Sequence, residues 1–160
     1  RAGRMIEQGM GAEEVARHVE ELRGHVHSSF VLDTMDFLAA GGRCPQLLAY
    51  VGKMVKFHPS IVVDNTDGSM SLGKLYRGKP ARVLPRYAAD TLGRYHDLEL
   101  DDIFITHSGI EGQLVELVRA AIEEHAHFER IHVTQASCTI SSHCGPNTLG
   151  ILFTTKSACA

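Results

Sequence analysis

The sequence predicts an α/β fold, a two-layer mixed sheet of about five to six strands with helices packed on it. Three observations predict it. Segments with apolar residues at helical spacing alternate with short β-branched runs, the order that lays helices on a sheet. Two of those runs are joined by Asn65-Thr66-Asp67-Gly68, a hairpin-type turn, so the sheet is not purely parallel. With 160 residues, 44% of them hydrophobic and 22% charged, the chain can fill one core and has the make-up of an ordinary globular domain.

Residues 1–11 carry Ala2, Met5 and Ile6 at helical spacing and end in a Gly-rich step. So short a helix has no partner of its own, and Arg1 stands where Met is expected. This segment is therefore expected to be the tail of a missing N-terminal domain or its linker, with 12–160 the domain proper. A helix is predicted from 12 to about 27, with Glu13 and Glu14 in its first turn and Val15, Val19, Leu22 and Val26 as its stripe. Residues 29–33 form a short strand. Thr34 can cap a helix through Met35, Phe37 and Leu38 that stops at Gly41-Gly42, and Pro45 restarts a helix carrying Leu47, Leu48, Val51 and Met54.

Residues 58–63 are the next strand, and the return strand of the hairpin runs through Met70, Leu72 and Leu75. A helix follows over 80–95, with Pro85 an objection to an early start. Residues 103–106 are a buried strand ending at His107-Ser108-Gly109. A helix over 112–124 turns Leu114, Leu117, Val118, Ala121 and Ile122 inward, and 131–134 and 151–154 supply the last strands.

A net charge of -3 gives no support to nucleic-acid binding, which usually needs a basic face. No apolar run reaches the length of a membrane span, and no charged-then-apolar signal segment opens the chain. Four cysteines (Cys44, Cys138, Cys144, Cys159) are scattered without a CxxC pair, which reads as reduced thiols in the cytoplasm. Among ten histidines, His125, His127 and His132 lack the i,i+4 spacing of a helical zinc site, so neither a metal nor another cofactor is expected. A Cys144 nucleophile activated by His143 is disfavoured, because adjacent residues rarely hold productive geometry.

The stretch from Ser141 to Gly150 (SSHCGPNTLG) lies between two strand-type runs. Gly145 allows close backbone approach, and Pro146 fits the first position of a helical turn, so the N–H groups after it are expected to face an anion. With His143 beside them this is a candidate seat for a carboxylate or phosphate. Arg43 after Gly41-Gly42, and Arg77 before Gly78, supply cations for the same rim. An enzyme acting on a phosphorylated or carboxylated small molecule, with His143 as acid or base, is the alternative reading. It lacks an acidic partner to orient the imidazole.

In order along the chain stand Gly41-Gly42-Arg43, Phe57-His58-Pro59, the Asp67-Gly68 turn, Tyr76-Arg77-Gly78 and Ser142-His143-Cys144-Gly145-Pro146. This series resembles the C-terminal part of the DegV family, the bacterial fatty-acid-binding proteins. The resemblance implies a two-domain, non-catalytic protein that holds one long-chain fatty acid between its domains. It also implies presentation of the acyl carboxylate to a fatty acid kinase for phospholipid synthesis. By that likeness His143, with Ser142, Gly145 and Pro146, lies near the carboxylate. Arg43 and Arg77 serve the head-group network or the kinase-docking face. The family usually has Thr where Cys144 stands and Gly-Ala where Asn147-Thr148 stand.

Overall fold

The computed structural model describes residues 1–42 and 57–158. Within them are helices α1 (Ala2–Glu7), α2 (Ala12–Leu22), α3 (Asp36–Ala40), α4 (Pro80–Leu92), α5 (Gly112–His125) and α6 (Cys138–Cys144). The strands are β1 (Val26–Val31), β2 (Phe57–Val63), β3 (Met70–Arg77), β4 (Leu98–His107), β5 (Arg130–Gln135) and β6 (Leu149–Thr155). They form one mixed sheet in the order β3-β2-β1-β6-β4-β5, with β4–β5 parallel and every other pair antiparallel. The predicted mixed α/β sheet with helices packed on it therefore holds, with helices on both of its faces rather than in a single second layer. Arg43 and the helix expected from Pro45 lie outside the described residues.

Burial on one sheet face comes from β-branched and aliphatic residues two apart. Ile103, Ile105, Leu149, Ile151 and Val31 meet Val83, Leu84, Tyr87, Val115, Val118 and Ile122 of α4 and α5. α4 runs unbroken through Pro85, because the buried Val83, Leu84, Tyr87 and Ala88 anchor it on both sides of the one backbone bond that proline removes. The Tyr87 hydroxyl, fully buried, hydrogen-bonds Ser29 Oγ at 2.7 Å, and burial pushes its pKa above the usual value.

The other face carries Leu72, Ile61, Phe30, Gly150, Leu152 and Phe104, which the strand registers set on one side. At one end of it Ile61 packs with Leu32, Met35, Leu38 and Cys144 under α3 and α6. At the opposite end α1 and α2 stand over it. β2 tolerates Pro59 because the ladder to β3 is irregular there, between Pro59 and Ile61.

Three local expectations are corrected. The helix expected to run to His27 ends at Leu22, passes through a 3₁₀ turn at Arg23–His25 and becomes β1. Val26 and His27 pair with Thr154 and Phe153 instead, and the buried His27 ring stacks on Phe153 with centroids 5.2 Å apart. β4 begins at Leu98, five residues before the predicted strand, with its ladder to β6 interrupted between Glu99 and Phe104. The segment before Gly145 is helix α6, capped by Ser137, whose side chain accepts from the Ile140 N–H.

Candidate functional site

The topology brings one end of every strand together: the C-terminal ends of β1, β3, β4 and β5 and the N-terminal ends of β2 and β6. His143 lies at this end, in the last turn of α6. It is half-buried, and its Nδ1 is buried without a hydrogen-bond partner among the described residues. Gly41 lies against it, so close that a Cβ there would overlap Nδ1 and come within 3.2 Å of Cε1. Gly145 ends α6 at φ 79°, a left-handed value that favours glycine, and a Cβ there would meet the Phe37 ring at 2.5 Å. Two glycines therefore let α3 and α6 close on each other with His143 between them.

The expectation that backbone N–H groups after Pro146 face an anion is overturned. The Gly145 N–H donates to Ser141 O at 2.8 Å, and the Asn147 N–H donates to Ser108 O at 3.2 Å. The Thr148 N–H donates to Ser108 Oγ, also at 3.2 Å. Pro146 follows a helix rather than opening one and is exposed. Ser142 is exposed too, and its hydroxyl donates back to Thr139 O at 2.9 Å. Among the described residues, the imidazole alone of the loop's side chains keeps a nitrogen buried and unpartnered. The Cys144 thiol is buried, which pushes its pKa up and away from the thiolate a nucleophile needs.

Arg77, exposed at the end of β3, lies over the Phe57 ring at 5.8 Å. Gly78, the next residue, is linked to the loop by a polar chain that sequence reasoning missed. His58 Nε2 meets Gly78 O at 3.1 Å, and His58 Nδ1 lies 3.4 Å from Asp33 Oδ1. Asn147 Nδ2 donates to Asp33 Oδ2 at 3.3 Å. Ser108 was missed as well, although its place directly after a buried strand was a usable signal. Arg77 and His143 thus share one end of the sheet without touching.

Toward the opposite end of the Phe30 face is an open cleft of about 1030 Å³. Phe104, Leu152 and Val26 line it from the sheet, and Val19 and Leu22 from α2. Its rim is charged. Asp102 accepts from Arg130 at 2.7 and 3.1 Å, from His132 at 2.7 Å and from Arg4, and these contacts, Arg130 first, hold its carboxyl well below the usual range. His132 stacks on Phe104, centroids 4.5 Å apart. No helix among the described residues is long and apolar enough to cross a membrane.

Comparison with known proteins gives one family. The model of the family described as "Uncharacterised protein, DegV family" matches residues 1–156. The DegV domain-containing protein TTE1491 of Caldanaerobacter subterraneus is 27% identical over 98% of this chain and 54% of its own length. YteA of Lactococcus lactis is 25% identical over 92% of this chain and 50% of its own. Among solved structures, a Thermus thermophilus protein described as a fatty-acid-binding DegV family protein matches with TM-score 0.76 and 24% identity, over 97% of this chain and 54% of that one. The Streptococcus pneumoniae Fatty Acid Kinase (Fak) B3 protein, loaded with linoleic acid, matches with TM-score 0.80 and 20% identity, over 97% and 53%. The chain spans about half the length of the curated relatives it matches. This chain belongs to the DegV family.

Proposed function

We propose that the protein binds one long-chain fatty acid, with the acyl chain on the Phe30 face and the carboxylate at the His143 end. It presents that carboxylate to a fatty acid kinase, in the cytoplasm, and performs no chemistry itself. A second domain of the kind its longer relatives have room for completes the carboxylate seat. The observation that carries this reading is the apolar-floored cleft of about 1030 Å³ on the same sheet face as the His143 end. Its volume is at the upper end of the roughly 300–1,000 Å³ of small-molecule sites, and it lies over Phe104 and Leu152. From Thr154 at the cleft to Gly150 beside Phe30 is four residues of β6, about 13 Å of strand. An acyl chain laid along that line gains roughly 0.8 kcal/mol per buried CH₂, so the slot supplies affinity and polar groups at its end supply orientation.

The fatty acids bound by the Thermus and Streptococcus relatives support the choice of ligand. The free thiols of Cys138 and Cys144 suit a reducing compartment. Within the proposed seat His143 meets the carboxylate, and Gly145 shapes the approach. Ser142 and Pro146 are solvent-facing, so their part is to hold the turn. Arg43 and Arg77 serve the head-group network or the face the kinase meets. As for the alternative of acid–base catalysis, the His143 nitrogen that an acidic group would orient lies against Gly41 instead.

The test is mass spectrometry of the organic extract of intact, folded protein purified from bacteria. A long-chain fatty acid near one per protein is expected. An extract free of acyl chains overturns the reading.

A further inference from the structure

We infer that Gly41 is a positioning residue: it seats the His143 imidazole and fixes its proton on Nε2, so that an N–H donor faces the ligand. The inference rests on the fatty-acid reading only for the identity of that ligand. Gly41 ends α3 at φ -74° and ψ -7°, an ordinary helical conformation that needs no glycine. An alanine in such a place ordinarily stabilises a protein by restricting the unfolded chain. What excludes it is the imidazole, because the added Cβ would overlap Nδ1.

Gly42 is different. Its φ is 63°, and a Cβ there would meet nothing within 4 Å. The two neighbouring glycines therefore do separate work, Gly42 for backbone conformation and Gly41 for side-chain room.

The tautomer follows from the same contact. Nδ1 is buried against the Gly41 backbone with no acceptor among the described residues. Buried N–H groups without an acceptor are rarer in proteins than acceptors short of a donor, so the lone pair sits at Nδ1 and the proton at Nε2. Nε2 is not among the buried unpartnered atoms, so it is the nitrogen left to meet a carboxylate oxygen. A helix–helix contact made only for packing would place an apolar side chain here, with nothing left unsatisfied.

The experiment compares the intact wild-type protein with Gly41→Ala, Gly42→Ala, His143→Ala and the Gly41→Ala/His143→Ala double variant. Two-bond ¹H–¹⁵N spectra of the imidazoles at high pH report the tautomer. Denaturant unfolding reports stability, and release of added palmitic acid reports ligand handling. The expected wild-type signature is Nε2–H at His143, kept in Gly42→Ala and disturbed in Gly41→Ala, which also releases palmitate faster. Gly41→Ala should lower the folding equilibrium constant roughly tenfold or more, as overpacking does, and should lose that cost when His143 is alanine. Should Gly41→Ala not fold, recovery of the fold in the double variant gives the same answer. An Nδ1–H at wild-type His143, a Gly41→Ala spectrum unchanged at His143, or an equal cost of Gly41→Ala in both backgrounds overturns the inference. If the wild type takes up no palmitate, the fatty-acid reading falls, while the spectra and the stability cycle still decide the role of Gly41.

Discussion

Ser108 holds the loop after α6 in shape with one hydroxyl and one peptide unit. Its Oγ donates to Gly145 O at 2.5 Å and accepts from the Thr148 N–H at 3.2 Å. Its own N–H donates to Thr148 O at 3.0 Å, and its carbonyl accepts from Asn147. The residue is buried, so no water stands ready to replace these partners. Ser108→Ala therefore leaves the Gly145 carbonyl unsatisfied, with an expected cost of about 1–3 kcal/mol. Chemical denaturation checks it: the midpoint should fall with an unchanged slope. A midpoint equal to wild type would mean that Gly145 and Thr148 keep their geometry without the hydroxyl. Such pairings were not legible in the sequence. Ser108 is 37 residues from Gly145 and Asp33 is 114 from Asn147, so only the topology joins them. Gly41-Gly42 was legible because it interrupts an apolar pattern, and Gly145 because a Gly-Pro step marks a turn.

At the scale of elements, α1 buries none of its residues, and charge joins it to the sheet. Arg1 pairs with Glu99, and Arg4 with Asp101 and Asp102. Asp102, also bound by Arg130 and His132, has a folded-state pKa below its unfolded value. Its contribution is therefore fully present above the unfolded value of about 3.9 and is lost as pH falls through that value toward the lower folded one. Asp102→Asn removes the charge at every pH, so its unfolding midpoint should be lower than wild type at pH 6 and should converge with it as pH drops toward 2. Parallel midpoint curves for the two proteins would refute the role of the cluster. The start of β4 escaped the sequence reading for the same reason that the cluster exists. Leu98 to Asp102 (LELDD) is rich in residues that strands disfavour, and their partners are charges from α1 and β5 rather than apolar neighbours. α6 escaped because Cys138 to Cys144 (CTISSHC) has weak helix formers and exposes Ile140, leaving no apolar stripe to detect. By contrast the bounds of α5 and of the hairpin were read nearly to the residue, although Leu117, expected to face inward, is exposed and Val115 is buried instead.

For the molecule as a whole, the fatty-acid reading separates a face that holds ligand from a face that meets a partner. His143 and Gly41 close one end of the apolar sheet face, whereas Arg77 is exposed at the edge strand with its guanidinium over Phe57. Charge distribution supports the separation. Six of the chain's 16 Lys and Arg side chains (Lys74, Arg77, Lys79, Arg82, Arg86 and Arg94) lie within residues 74–94, where Asp90 is the only acid. Lys74 at 2.7 Å and Arg86 at 3.8 Å already share that carboxylate. The surplus faces outward, where it steers an acidic partner more than it tightens an apolar slot. We therefore predict that Arg77→Ala in the intact protein leaves bound lipid close to wild type and weakens kinase-dependent acyl-phosphate formation. A lost charge-assisted contact of about 1.5–3 kcal/mol corresponds to a tenfold or larger effect at subsaturating protein. His143→Ala should instead alter the hold on the carboxylate and so change lipid retention itself. Measuring bound lipid per protein and acyl-phosphate formation for both variants tests the division. If Arg77→Ala empties the protein of lipid while His143→Ala changes neither quantity, the two faces have been assigned the wrong way round.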